Sequence, residues 1–219
     1  MKRIISSVFF TIVLIHFSTV SHTQNFVAGP KLGIAFTQVD GDSYAGFHKV
    51  GLNLGGFVYR SISKNERWDL QFEIEYIQKG SRKYPDVEMG DYTEYKISLN
   101  YIQFPLFLRF NANHFSFEGG VSIGALLSTE ELSDGAEIPE DVRIPFKTME
   151  YASIFSVNYH FTKKLWLNAR YSYSFARIRI PYNGEIPVYD PHWDARKPGQ
   201  YNNLMVFSLY YAFGKDLKL

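Results

Sequence analysis

Apolar and polar side chains alternate from Trp68 to Tyr76, within the stretch RWDLQFEIEYIQK that covers residues 67–79. A period of two predicts a β-strand, because successive side chains of a strand point to opposite faces. The apolar face has aromatic rings towards both ends and aliphatic side chains between them, which is typical of a strand that crosses a bilayer. The other face carries carboxylates, which need a polar surrounding. The pattern therefore predicts a closed barrel with lipid outside and a polar interior.

Seven more segments have this alternation or a glycine-interrupted form of it. The eight predicted strands cover residues 26–37, 50–60, 67–79, 94–110, 115–127, 148–161, 165–180 and 200–213. Their connections are alternately long and short, as in outer-membrane barrels whose short turns face the periplasm and whose longer loops face outside. The predicted fold is all-β, an eight-stranded antiparallel up-and-down transmembrane β-barrel with a polar, side-chain-filled interior.

The fourth segment departs from a single alternation. Its apolar face changes phase after the first four of these residues: Tyr95, Ile97, Leu99, Tyr101, then Ile102, Phe104, Leu106 and Leu108. We expect both sets to face outward, with a β-bulge between them.

The N-terminus predicts export. Met1, Lys2 and Arg3 precede an apolar run, so residues 1–23 are interpreted as a cleaved signal peptide and residues 24–219 as an outer-membrane barrel domain. The chain has no cysteine, which excludes a lipid-anchored lipoprotein and any disulfide. The expected location is the outer membrane of a Gram-negative bacterium.

Composition agrees with this location. Aromatic residues make up 17% of the chain, enough to build girdles at both membrane interfaces. The formal net charge of +1 gives no reason to expect nucleic acid as a partner. We expect outer-membrane lipid as a partner and a monomeric barrel.

Three motifs resemble a known family. Gly29, Lys31 and Gly33 are similar to a G-x-K-x-G opening, residues 75–80 (EYIQKG) to a strand ending in Q-K-G, and residues 101–106 (YIQFPL) to Y-L-x-I-P-L. The family is that of the PorT-type outer-membrane β-barrel proteins. The resemblance implies an integral outer-membrane protein, and the namesake's association with secretion implies a secreted or surface protein as partner. The alternating aromatic close at residues 207–213 resembles the terminal strand recognised by the outer-membrane assembly machinery, which is a further expected partner.

Four charged residues are predicted to face the lumen and to form a structural network there: Glu73, Glu75, Glu118 and Arg170. Eight strands leave an interior just wide enough for side chains, and buried charges must pair to be tolerated. We therefore expect no open pore of porin size. Arg177 and Arg179 continue the outward row beyond Phe175, so we expect both to reach lipid phosphates at the outer headgroups.

The long loops carry candidate chemistry. Carboxylates and imidazoles that would share the outer rim could form a hydrolase or cation site: Asp40, Asp42, His48, Asp190, His192 and Asp194. Aspartate and glycine are also ordinary turn residues, and we interpret these loops as non-catalytic. The acidic third loop, with Glu130 and Glu131, is interpreted as a solvated face.

No catalytic residue, cofactor or metal site is predicted. The favoured function is a non-enzymatic outer-membrane barrel that supports surface integrity, protein secretion or partner binding through its extracellular loops. Two alternatives stay open: a barrel enzyme with a rim site, and a soluble periplasmic lipocalin-like barrel that binds an apolar ligand.

Overall fold

The structure is a computed structural model that describes residues 26–42, 46–139, 144–180 and 199–213. These residues form one short 3-10 helix, Val87–Met89, and nine strands: β1 (Phe26–Asp40), β2 (Lys49–Ser61), β3 (Trp68–Lys83), β4 (Tyr95–Ala112), β5 (Phe115–Ser133), β6 (Ala136–Glu137), β7 (Met149–His160), β8 (Leu165–Ser174) and β9 (Tyr201–Tyr211). Among them no helix has the length and apolarity needed to cross a membrane. The predicted signal peptide lies outside the described residues.

Eight of the strands close into one antiparallel barrel. Each barrel strand pairs with the next along the chain, and β1 pairs with β9 from Lys31–Tyr210 to Asp40–Tyr201, which closes the sheet on itself. The two-residue β6 pairs only with the end of β5. The predicted eight-stranded up-and-down topology is confirmed.

The two faces of β3 are those that the alternation predicts. Leu70, Phe72 and Ile74 are exposed on the outer surface, whereas Gln71 and Glu73 are buried in the lumen. Aromatic rings meet on the outer surface at the short-turn end, in the pairs Trp68–Phe110 (4.9 Å between centroids), Phe115–Tyr159 (5.2 Å) and Tyr211–Phe213 (5.5 Å). Such a girdle is expected where a barrel meets the bilayer interface.

The predicted change of phase lies on β5, not on β4. Strand β4 keeps one alternation, and the expectation that Ile97, Leu99 and Tyr101 face outward was wrong, because all three are fully buried in the lumen. The β4–β5 register shifts at Asn100, and Leu127 is the extra residue on β5. The error arose because the upper lumen is apolar, so hydrophobicity alone did not identify the outer face.

Strands β3, β4 and β5 continue past the lipid-facing belt at the long-loop end. We call residues 78–83, 95–100 and 128–133 the extension. Residues 80–83 and 128–133 were expected to be loop, but both pair with β4. The outer surface of the extension carries two ion pairs, Lys96–Glu130 (3.2 Å) within the extension and Arg82–Glu94 (2.7 Å) with the loop that joins β3 to β4. By contrast, β8 ends at Ser174, well before the predicted end of that strand.

Three layers of side chains fill the lumen. An aromatic layer at the short-turn end contains Phe57, Tyr59, Trp166 and Tyr210. An apolar cluster at the long-loop end contains Ala35, Ile77, Ile97, Leu99, Ile178 and Leu204, among others. Charged and amide side chains lie between these two layers. The interior is thus filled by side chains, as predicted, and it is polar mainly in its middle.

The close approach of β4 and β5 generates the first prediction. A Cβ at Gly120 would lie 2.1 Å from the Leu106 carbonyl oxygen, whereas a Cβ at the neighbouring Gly119 meets nothing within 4 Å. We expect Gly120→Ala to lower the folded fraction sharply, with Gly119→Ala as the matched control that folds normally. The measurement is the mobility difference between boiled and unboiled samples on a gel. Equal folding of the two variants would contradict this packing.

Candidate functional site

The middle of the lumen is organised around Arg170 of β8. Its Nη2 donates to Glu73 Oε1 (3.0 Å) and its Nη1 to Glu75 Oε2 (3.3 Å), both on the opposite wall. Lys31 of β1 lies 2.7 Å from Glu73 Oε2 and also pairs with Glu75. The Tyr210 hydroxyl donates to Glu73 as well (2.9 Å). The four charged side chains are at most 2% exposed, so two carboxylates and two cations neutralise each other away from solvent.

Gln103 of β4 connects this group to a second ion pair. With its side-chain amide turned so that the nitrogen faces the carboxylate and the oxygen faces the ammonium, which satisfies both neighbours, Gln103 donates to Glu75 Oε1 (3.2 Å) and accepts from Lys79 Nζ (2.8 Å). Lys79 forms a 2.7 Å ion pair with Glu150 of β7. Asn202 of β9 donates to the other oxygen of Glu150 (3.1 Å). The network therefore joins side chains from opposite walls of the barrel.

A third buried pair lies nearer the short turns. Arg109 Nε donates to Glu118 Oε1 (2.8 Å), and another guanidinium nitrogen donates to Gln71. The guanidinium carbon is 4.6 Å from the ring centre of Tyr59 and 5.3 Å from that of Trp166. Arg109 therefore connects the charged middle layer to the aromatic layer.

The structure brings together three of the four charges expected in the lumen. Glu73, Glu75 and Arg170 are in direct contact, whereas Glu118 pairs with Arg109. The sequence reasoning missed the other charged members: Lys31, Lys79, Arg109 and Glu150. Lys79 continues the inward alternation of β3 and could have been found. Arg109 lies opposite Glu118 because of the register in which β4 pairs with β5, and this register cannot be derived from the sequence of either strand.

Buried basic and acidic side chains balance within the described part of the chain. The basic ones are Lys31, Lys49, Lys79, Arg109, Arg170 and Arg179, and the acidic ones are Asp69, Glu73, Glu75, Glu118, Glu131 and Glu150. Selective pores are lined by rings of one sign. This lumen instead has the balanced charge of a packed interior, in which each ion needs a partner.

Residues 175–180, which we call the strap, turn into the barrel mouth after β8. Ile178 is fully buried in the apolar cluster, and its amide donates to the Gln200 carbonyl (2.8 Å). Arg179 makes a bidentate ion pair with Glu131 of β5 (3.0 and 2.9 Å). Its Nε donates to the Ile144 carbonyl (2.7 Å). The strap therefore holds the segments that lead into two long loops against the mouth.

The expectation of a headgroup contact was wrong for Arg179. The alternation ends with β8 at Ser174, so it no longer predicts side-chain direction, and the guanidinium turns inward to a carboxylate. Its partner Glu131, which was expected on a solvated face, is buried. Arg177 is exposed, and its contact with lipid phosphate stays a prediction.

The rim residues considered for catalysis or cation binding are only partly described. Asp40 accepts a hydrogen bond from Asn203 Nδ2 (3.2 Å), and the His48 ring lies 6.2 Å from that of Tyr84. Asp42 follows β1 in a turn. Asp190, His192 and Asp194 lie outside the described residues. Within the described ranges, no group of three or more His, Cys, Asp or Glu residues could hold a metal ion.

A serine–histidine contact that the sequence did not single out lies near the short turns. Ser116 Oγ is 3.0 Å from His160 Nε2, the separation of a nucleophile from its general base. Ser116 is fully buried, however, and its hydroxyl accepts a hydrogen bond from Asn158 Nδ2 (3.0 Å). We assign the contact a structural role, because a buried hydroxyl that already accepts a hydrogen bond is not presented to a substrate.

Residues 84–94, which we call the tip loop, connect β3 to β4 above the extension. Asp86 caps the 3-10 helix by accepting from the Met89 amide (3.2 Å), and Gly90 ends it with a left-handed φ of 75°. Lys83 pairs with Asp91 (2.5 Å), and the Thr93 hydroxyl donates to the same carboxylate (2.7 Å). Hydrogen bonds from Lys83 and Thr93 lower the pKa of Asp91 and keep it ionised.

A closed barrel with an apolar outer belt, an aromatic girdle at its short-turn end and a salt-bridged lumen defines a transmembrane β-barrel. The sequence profile of the outer membrane protein beta-barrel domain matches residues 7–178, and the chain belongs to this family. It is therefore an outer-membrane β-barrel protein. Short turns of such barrels face the periplasm, which makes the extension, the strap and the tip loop extracellular.

Solved structures of other bacterial proteins have a similar fold. Neisserial surface protein A is 12% identical with a TM-score of 0.50, covering 86% of this chain and 96% of that one. Ail, the attachment invasion locus protein of Yersinia pestis, is 14% identical with a TM-score of 0.48, covering 85% and 98%. OprG from Pseudomonas aeruginosa is 10% identical with a TM-score of 0.40, covering 88% and 97%. No curated protein has a sequence that matches the chain significantly.

The buried network generates a stability prediction. Arg170→Met leaves Glu73 and Glu75 with Lys31 as their remaining cation, and breaking a buried pair costs about 3–5 kcal/mol. Lys96→Met is the control, because loss of its exposed pair with Glu130 costs less than about 1 kcal/mol. Urea unfolding in detergent micelles measures the free energy of unfolding of both variants. If the two variants lose equally little of this free energy, water solvates the lumen charges.

The strap generates a prediction about access to the mouth. Since the chain has no cysteine, a single engineered cysteine reports local exposure. We expect Ile178→Cys to react slowly with a maleimide on intact cells, and about tenfold faster or more when Arg179→Leu removes the pair with Glu131. Arg177→Cys, at an exposed position, is the control and should react rapidly in both backgrounds. An unchanged rate at residue 178 would show that Arg179 does not hold the strap.

Proposed function

We propose that this protein is a non-enzymatic outer-membrane scaffold that presents its extracellular extension and loops to a partner, and so supports surface integrity or protein secretion. One observation carries the proposal: buried ion pairs occupy the middle of the lumen while β3, β4 and β5 project beyond the lipid belt. A barrel filled by its own side chains is poorly suited to carry a substrate. Function then belongs to the exposed loops, which the rigid barrel holds in place.

Assignment to the PorT type is part of the proposal. Residues of all three matching motifs meet in the charged middle of the lumen: Lys31 from the first, Glu75 and Lys79 from the second, and Gln103 from the third. This meeting supports the resemblance, because these motifs then describe one packing arrangement. The namesake's association makes a secreted or surface protein the expected partner.

Further parts of the proposal concern assembly. We infer cleavage of residues 1–23 as a signal peptide, insertion by the outer-membrane assembly machinery and a monomeric barrel in outer-membrane lipid. Arg177, exposed beyond Phe175, is proposed to contact lipid phosphates at the outer headgroups.

The two alternatives have less support. A soluble lipocalin-like barrel needs a polar exterior around an apolar ligand, which does not fit an outer-membrane family member with an apolar belt. A rim enzyme would depend on His48 or His192 as general base. His48 makes a ring contact with Tyr84, and this contact by itself gives no catalytic arrangement.

Complementation of a deletion strain tests the proposal. We expect a variant in which an Asn-Gly turn replaces residues 85–92 to fold but to fail in restoring envelope integrity and surface-protein secretion. A variant carrying both His48→Ala and His192→Ala should restore them. Folding of each variant is checked by heat-dependent gel mobility. If the histidine variant does not complement the deletion strain and the loop-replaced variant does, the rim-enzyme alternative is favoured.

A further inference from the structure

The tip loop exposes apolar side chains far above the lipid belt. Tyr84 is 52% exposed, Val87 63%, Met89 84% and Tyr92 71%. Large apolar side chains exposed together on an extracellular loop are a recognised sign of an interaction site. Tyrosine and methionine are also among the residues enriched in protein interfaces.

Polar contacts, not these side chains, hold the loop in shape. The backbone is fixed by the Asp86 cap, by the bridge between Asp86 and Asp91, and by the bonds of Asp91 with Lys83 and Thr93. Of the four apolar side chains, Tyr84 contacts Arg82 and His48. The 3-10 helix that carries Val87 and Met89 has no buried residue. Val87, Met89 and Tyr92 are therefore displayed on a preorganised turn, which lowers the entropic cost of binding.

Charge decides which partner fits this loop. Residues 84–94 contain four acidic residues, Asp86, Glu88, Asp91 and Glu94, and no basic one. The two basic residues that precede the loop, Arg82 and Lys83, pair with Glu94 and Asp91. Residues 82–94 thus hold four carboxylates against two cations, and this net negative charge attracts a basic protein surface and repels an anionic lipid surface.

We propose that the tip loop binds a protein segment in which apolar anchor residues are flanked by lysine or arginine. The anchors would pack on Val87, Met89 and Tyr92, and the basic residues would face the loop carboxylates. This inference rests on the proposed function, because it names the chemistry of the partner that the extracellular loops would bind.

The experiment uses full-length barrel in phosphatidylcholine nanodiscs and three synthetic peptides of equal length as probes. One peptide combines leucine and lysine, the second serine and lysine, and the third leucine and glutamate. We expect the leucine–lysine peptide to bind protein-loaded nanodiscs at least about tenfold more tightly than it binds empty ones, and more tightly than either other peptide binds. Fluorescence anisotropy measures the affinities at low and high salt.

Variants assign the binding to the loop. Combined Val87→Ser, Met89→Ser and Tyr92→Ser substitutions should lower affinity at least about tenfold, as expected for loss of the anchor contacts. Glu88→Gln should weaken binding and reduce its salt dependence. Ile62→Ser, at an exposed apolar position in a periplasmic turn, is the matched control and should change nothing.

Three outcomes would overturn the inference: equal binding by the triple serine variant, equal binding of the serine–lysine peptide, or loop-dependent association with phosphatidylglycerol vesicles. The triple serine variant is also tested in the deletion strain. If it binds no peptide but restores envelope integrity and secretion where the loop-replaced variant does not, this inference fails and the proposed function stands. If the loop-replaced variant also restores them, the proposed function fails.

Discussion

The carboxylates of Glu73 and Glu75 are tolerated inside this barrel because Lys31 and Arg170 reach them from other walls. An eight-stranded barrel is just wide enough for its own side chains, so these ions cannot keep a hydration shell and must pair. Backbone spacing follows from the same constraint. A Cβ at Gly55 would lie 2.2 Å from the Ile74 carbonyl oxygen and 2.9 Å from the Glu75 Cβ, so glycine there lets β2 and β3 approach closely beside the buried carboxylate.

The paired charges also explain why distant parts of the sequence matter together. Lys31, Lys79 and Gln103 come from three separate motifs on β1, β3 and β4, and each contacts Glu75 or a neighbour of Glu75 in the same network. Loss of one member leaves an uncompensated charge on another strand. The network therefore couples β1, β3, β4, β7, β8 and β9 through side-chain contacts across the lumen.

The two ends of the barrel are closed in different ways. At the periplasmic end an aromatic layer with Trp166 and Tyr210 packs under Arg109. At the extracellular end the strap inserts Ile178 into an apolar cluster and is held by the Arg179–Glu131 pair. Because side chains fill the lumen, the surface available for contacts with a partner lies outside the membrane, on the extension of β3, β4 and β5 and on the tip loop.

Local pattern was enough to predict the strands, the closed barrel and the burial of Glu73, Glu75 and Arg170, because a period of two and the cost of a charge in lipid act on each strand separately. It did not determine that Ile97 and Leu99 face the lumen, that Glu118 pairs with Arg109, or that Arg179 turns inward. Those outcomes depend on the β4–β5 register, on the bulge at Leu127 and on the end of β8. Each of these is set by contacts between segments far apart in the chain, and alternation along one strand carries no information about them.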